Sequence, residues 1–234
     1  MKKALFILVL CFAGWLVATP NHWTGAADTN WHNDANWSFG HVPTASEDAT
    51  VLAVYASNSP SVDADAACLD LTVGTGFSVS VNSGTLTVND RLYQYGTLTL
   101  AGSAALAVRE AWLYGGSLLS SGPACLLELK QDLLVQAGAA IDFPGYFLIN
   151  GIYSSTLDFQ SAATFGSLYL LKSSGSVTLS VDSAAPVTAA NGIYVDAGNT
   201  FINNYAGSII CGGNLQIEAG GSCLFNSGTL VMYG

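Results

Sequence analysis

Short runs in which an aliphatic residue alternates with Ser or Thr recur along most of this chain, and they constrain its fold more than any other feature. They include Ser78-Val79-Ser80-Val81, Thr85-Leu86-Thr87-Val88, Thr97-Leu98-Thr99-Leu100 and Ser176-Val177-Thr178-Leu179. A period of two sends one set of side chains to a core and the other to water, which is the pattern of a half-buried strand. Asn82-Ser83-Gly84, Asn191-Gly192 and Asn226-Ser227-Gly228 punctuate the runs with residues that accept the left-handed backbone of tight corners. After the first 18 residues no window carries a helical stripe. Charged residues make up only 9% of the chain, whereas long helices draw on Glu and Lys. At 50% apolar, the composition is that of a packed protein, not a disordered one.

The glycines add a longer period. Gly76, Gly96, Gly116 and Gly138 are spaced by 20, 20 and 22 residues, and Gly175, Gly198 and Gly220 by 23 and 22. The gap of 37 between Gly138 and Gly175 is read as two shortened turns, with Ser154-Ser155 in place of the middle glycine. The segments Asp132–Gly138, Gly192–Gly198 and Asn214–Gly220 share the pattern apolar-x-apolar-x-Ala-Gly, which supports one common register. A period of 20–23 residues holding several strands predicts a β-solenoid, in which stacked turns bury one another's inner faces. The expected fold is all-β: a right-handed parallel β-solenoid (β-helix) with an N-terminal Trp-rich cap. The hexapeptide repeat of the left-handed form is absent. Residues 62–234 would give about eight rungs and, at ~4.8 Å each, a rod roughly 40 Å long. The rod is expected to start near Leu69, with Leu71, Val73, Val79, Val81, Leu86, Val88, Leu98 and Leu100 pointing inward. An antiparallel sandwich would also alternate, but it has no reason to repeat the Ala-Gly step.

Lys2-Lys3 followed by the apolar stretch from Ala4 to Ala18 reads as a signal peptide over residues 1–18. The stretch is too short for a transmembrane helix. The expected location is therefore secreted or cell surface. Leu10, just before Cys11, argues against lipoprotein processing, which wants a small residue there. The chain has 6 basic and 16 acidic residues, and losing Lys2 and Lys3 takes the formal net charge from −10 to −12. No basic stripe remains to displace phosphate counterions, so nucleic acid is excluded as a partner. Cys68, Cys125, Cys211 and Cys223 are expected as thiols, with at most one bridge, between Cys211 and Cys223. Cys68 and Cys125 would lie about three rungs apart, roughly 14 Å, beyond the ~7 Å a disulfide spans.

Residues 21–61 differ in texture, holding three of the five Trp and all three His. Their motif is Trp23-Thr24-Gly25, Asn30-Trp31, Asn36-Trp37, Gly40, Pro43 and Glu47-Asp48-Ala49-Thr50-Val51. This resembles the Trp-rich segment that opens many secreted bacterial repeat proteins, including adhesin-like and autotransporter-associated ones, where it precedes a parallel β-helix. It is also distantly similar to the start of a G8-type domain. The resemblance implies a surface protein with a solenoid downstream. Physical reasoning reaches a compatible reading, because the first rung of a solenoid exposes unpaired backbone and an apolar cross-section that must be covered. Trp23, Trp31 and Trp37 are read as that plug. The alternative is a carbohydrate platform made of the same three indoles.

Candidate chemistry is sparse. His22, His32 and His41 lie near Asp28 and Asp34 but lack the ligand spacing of a zinc site, and the Asp-rich calcium nonapeptide is missing, so no metal or other cofactor is expected. No G-x-S-x-G supports a nucleophilic serine. Glu110 and Asp132, 22 apart, would stack on one face as an acid pair, with Arg109 and Lys130 balancing nearby carboxylates. The resulting expectation is a non-enzymatic exported protein, a structural or adhesive β-solenoid stalk whose partners are surface glycans or other cell-surface components. The alternative is a carbohydrate-active β-helix (a polysaccharide lyase or glycosidase) or a sugar-binding module. The strand running into Gly234 is expected to continue beyond it or to support end-to-end self-association.

Overall fold

The computed structural model describes residues 19–179, 185–204 and 206–233. The leader expected at residues 1–18 lies outside the described residues. The chain winds through about eight turns of a β-solenoid, and each turn visits three faces in the same order. The first face stacks Asn21–His22, Ala49–Val51, Leu71–Val73, the second halves of Thr85–Gln94 and Ala105–Leu113, then Leu133–Val135, Ser155–Phe159, Ser176–Leu179, Thr200–Asn203 and Ser222–Phe225. The second face stacks Ser61–Val62, Ser78–Val81, Thr97–Leu100 and Ser117–Ser120. It continues through the first halves of Ala140–Ile149, Ala163–Leu170 and Val187–Val195 to Ser208–Cys211 and Thr229–Met232. The remaining strands and half-strands form the third face, from Ala66–Cys68 to Asn214–Ile217. Every ladder is parallel, which rules out the sandwich.

Alternation decides which side chains fill the rod. The eight residues expected to point inward are all 0–1% exposed. Later turns replace aliphatic fillings with Phe143, Phe147, Phe159, Phe165 and Phe201, all fully buried, and Phe147 stacks on Phe165 at 4.5 Å. At the last described turn the inner positions have no neighbour on one side. Ile217, Phe225 and Met232 are 41%, 40% and 46% exposed there, although their register partners Val195, Asn203 and Cys211 are buried.

The glycine register needs correction. Gly76, Gly96, Gly116 and Gly138 do share a corner, the one between the first and second faces. Gly198 and Gly220 instead turn the corner between the third and first faces, because Ile193–Val195 and Leu215–Ile217 lie on the third face and Leu133–Val135 on the first. Gly175 precedes Ser176–Leu179 at that same later corner. The interval of 37 is therefore not two short turns. The paired residues Leu133, Leu157 and Leu179 show ordinary steps of 24 and 22. Apolar-x-apolar-x-Ala-Gly encodes a strand ending in a left-handed turn, and any corner of the triangle accepts it.

The sheet also begins earlier than Leu69. Asn21 and His22 pair with Ala49 and Thr50, and Asn30 bridges Ser61, so the Trp-rich segment forms an abbreviated extra turn. Continuing those registers places Trp23 beneath Val51 and Trp31 beneath Val62, on inner positions. Asn36 organises this turn. Its Oδ1 accepts from the N–H groups of Ala27 and Asp28 (2.8 and 3.0 Å), and its Nδ2 donates to Asp28 Oδ1 and Asn30 O (2.6 and 2.9 Å). The amides of Asn33 and Asn36 hold the Asp28 carboxyl below the usual carboxylate range. The four cysteines among the described residues are free, with Cys68, Cys125 and Cys211 buried.

Two outcomes follow for stability. Replacing Trp31 or Trp37 with Ala should cost ~3–5 kcal/mol in equilibrium denaturant unfolding, as for other packed core aromatics. An unchanged midpoint would remove the cap role. Gly116 sits at φ +65°, and a Cβ there would run into the Gly96 carbonyl of the turn below. Gly138 is also at positive φ (+94°) but has open space around it. Gly116→Ala should therefore lower the melting temperature clearly more than Gly138→Ala, which carries the backbone strain alone.

Candidate functional site

The three cap tryptophans do not form a sugar platform. Trp23 and Trp31 are 0% exposed and Trp37 is 3% exposed. They pack edge to face, Trp23–Trp37 at 5.2 Å and Trp31–Trp37 at 4.6 Å, and the indole N–H groups of Trp23 and Trp37 donate to the Asn58 and Trp31 carbonyls. Their inner register positions leave no ring face for a ligand. The cap histidines are dispersed. His22 stacks on Tyr55 at 3.8 Å, and His41 lies 3.6 Å from Glu47. Among the described residues no group of His, Cys, Asp and Glu could hold a metal.

A cluster of outward aromatic rings, called the platform below, lies on the outer surface of the first face. In Arg91-Leu92-Tyr93-Gln94-Tyr95, Leu92 and Gln94 are buried, so the alternate residues point outward. One turn later Glu110-Ala111-Trp112-Leu113-Tyr114 repeats the arrangement, with Arg91 opposite Glu110 and Tyr93 opposite Trp112. Tyr95 and Tyr114 stack at 5.1 Å with 16° between planes, while Tyr93 meets Trp112 edge-on at 5.5 Å. Below them the turn offers only Thr72 opposite Tyr93 and Gly74 beneath Tyr95, so small residues border the four rings on that side.

A fixed charge network anchors the rings. Arg91 Nε donates to Glu110 Oε2 at 2.8 Å, and its guanidinium lies 4.9 Å from the centre of the Trp112 ring. Such a cation over an indole is worth roughly 0.5–2 kcal/mol. Arg109 Nη2 donates to Glu110 Oε1 at 3.0 Å and pairs with Asp90 at 2.6 Å. The Glu110 side chain is only 7% exposed, so its charge is tolerable because both oxygens accept from arginines. Glu110, with Tyr93 contributing, holds the Arg91 guanidinium protonated more firmly than usual. Burial, then Tyr95 and Tyr93, push the Tyr114 phenol up. The platform therefore sets the Tyr114 phenol beside an ion network in which two arginines face two carboxylates.

Glu110 and Asp132 do stand one turn apart, as the flanking pair Ala111 and Leu133 shows. They do not form a free acid pair, because Glu110 is held by arginines and Asp132 Oδ1 accepts the Thr156 N–H at 2.7 Å. Arg109 balances carboxylates as expected, whereas Lys130 has no ion pair among the described residues. Lys172 is 4% exposed and donates its Nζ to the Asn150 and Lys130 carbonyls at 2.7 and 3.2 Å. Burial lowers its pKa. Nothing in its local sequence signals this inward turn. The platform did leave a signal, because Arg91-x-Tyr93-x-Tyr95 and Glu110-x-Trp112-x-Tyr114 occupy the outward positions of successive repeats.

A family profile described as Domain of unknown function (DUF8693) matches residues 22–116, from the cap to just past the platform. No curated protein and no solved structure matches the chain. No helix among the described residues is long and apolar enough to cross a membrane.

Replacing Arg91 with Gln should uncover part of Glu110 and cost about 1–3 kcal/mol, the usual penalty for an under-satisfied buried polar group. A double-mutant cycle with Glu110→Gln should recover most of that loss. Full additivity of the two changes would show that the pair is not coupled.

Proposed function

We propose that this protein is a non-enzymatic adhesive stalk of a cell surface, exported by its leader, and that it engages surface glycans through the platform of Tyr93, Tyr95, Trp112 and Tyr114. The platform itself is the observation that carries this reading. Aromatic rings offer flat apolar faces to the C–H faces of a sugar ring, and phenol hydroxyls and the arginine rim supply hydrogen bonds to its hydroxyls. Tyr93 and Trp112 stand on paired strands, and Tyr95 and Tyr114 stand just past the ends of those strands with their backbone N–H groups still bonded to the turn below, so little conformational entropy is lost when a ligand settles on them. The Lys2-Lys3 and apolar opening of the sequence and its acidic balance fit export.

The test is affinity electrophoresis and array binding of residues 19–234 against bacterial, plant and animal polysaccharides. At least one should retard the protein, and Trp112→Ala and Tyr95→Ala should each weaken that binding about tenfold, or ~1.4 kcal/mol, while the circular dichroism spectrum stays that of the folded parent. Failure to bind any polysaccharide, or equal binding by the Trp112→Ala/Tyr95→Ala double variant, would overturn the assignment.

A further inference from the structure

The third face carries a second aromatic column that is independent of the platform. Leu148, Tyr169, Tyr194 and Gln216 are stacked in register on its outer surface, and Tyr146, Ser167, Gly192 and Asn214 form the neighbouring column. Tyr146–Tyr169 and Tyr169–Tyr194 lie 5.9 and 5.6 Å apart at tilts of 53° and 42°, so the rings are splayed and not pressed flush. In the neighbouring column two small residues, Ser167 and Gly192, follow one another. Together they leave a recess of about 170 Å³, walled by Tyr169 and Tyr194 and lined by Asn191, Asn214 and Gln216. That is far more than the roughly 10–15 Å³ one water needs.

Backbone geometry keeps the recess open. Phe165 pairs with Ala189 but Ser167 with Gly192, so the upper strand carries an extra residue at this point. Bulges of this kind re-aim side chains and recur beside binding sites. Gly192 has φ +138°, and a Cβ there would stand 2.5 Å from the Asn214 carbonyl oxygen, so no larger residue fits without backbone movement.

The chemistry of the lining selects a ligand class. Among the described residues the Asn191 and Asn214 side-chain amides make no hydrogen bond to protein, so each offers donors and an acceptor. Gln216 Nε2 donates to Glu218 Oε1 at 2.6 Å, which orients its carbonyl oxygen. No cation lines the recess, and Asp196 and Glu218 stand on the next column. Burial, then Glu218 and Asp196, push the Tyr194 phenol up, and Glu218 also accepts its hydrogen bond, so the ring enters the recess mainly as an apolar wall. Amides that both give and accept, aromatic walls and a flanking negative field suit a neutral polyhydroxylated ring and repel an anionic one.

We infer that the recess at Tyr169, Tyr194, Asn191 and Asn214 is a subsite for one neutral sugar residue, separate from the platform on the first face. The inference extends the adhesive reading but rests on different residues. The test uses the protein with 3-fluorotyrosine incorporated, titrated with neutral hexose and pentose oligosaccharides (cello-, manno-, malto-, galacto- and xylo-) and with oligogalacturonate as the anionic contrast. A neutral oligosaccharide should shift the Tyr169 and Tyr194 fluorine resonances, and oligogalacturonate should not. Ser167→Leu, which fills the recess from an outward position, should weaken that binding at least tenfold with no change in melting temperature. Tyr194→Ala should do the same, while Trp112→Ala should leave it intact. The subsite is overturned if no neutral oligosaccharide moves these resonances, if both recess variants bind like the parent, or if oligogalacturonate binds as tightly. Binding abolished by Trp112→Ala but kept by Ser167→Leu and Tyr194→Ala would sustain the platform and overturn the recess.

Discussion

An inward side chain in this solenoid is buried by the turn below and the turn above, because a single turn is too thin to enclose its own core. This mutual covering is the constraint on which the rest of the structure depends. It makes each inner position answer to its register partners: Leu71 lies over Ala49 and under Leu92, and Leu92 under Ala111. It also explains the cap. Asn21–His22 and the bridge at Asn30 extend two faces by one partial turn, and Trp23 and Trp31 fill its interior with side chains large enough to replace a missing rung.

Stacking acts differently on the outside. Outward residues owe nothing to core packing, but the same register lines them into columns ~4.8 Å apart. A column becomes a surface whenever neighbouring turns carry compatible groups. On the first face, Tyr93 beside Trp112 and Tyr95 beside Tyr114 make a patch that no single strand could offer, and Arg91 beside Glu110 locks its rim. On the third face the useful feature is what Ser167 and Gly192 omit, since their small size turns a column of side chains into a recess.

Much of the fold was legible in the sequence, because it rests on local signals. Ser78-Val79-Ser80-Val81 and its relatives state directly which side is core, and all eight residues read as inward are buried. The register of distant turns was less legible. Gly138 and Gly198 terminate look-alike strands at different corners, and only pairing between turns reveals this. The Trp-rich motif was read as a plug; Trp23, Trp31 and Trp37 are buried, and the sequence did not show that the segment is built as an abbreviated extra turn. The proposed binding surface was hardest to see. Tyr93 and Trp112 are 19 residues apart and become neighbours only through the Leu92–Ala111 register. Lys172 shows a different limit, because its burial depends on Asn150 and Lys130 carbonyls supplied by two lower turns.

The two outer sites lie on different faces and several turns apart, on one continuous ladder of parallel strands. That arrangement bears on how the proposed adhesive stalk would gain strength. Weak single-sugar contacts of the kind a shallow recess makes are individually short-lived, but a second contact on a polymer already held becomes effectively intramolecular. The gain depends on spacing that does not fluctuate, and a backbone paired turn to turn provides it. Because the faces diverge, one straight glycan chain is poorly placed to reach both sites, whereas separate strands of a glycan layer can each meet one. If both proposed sites bind sugars, their placement favours a rod among several polymers over a cleft that threads a single one.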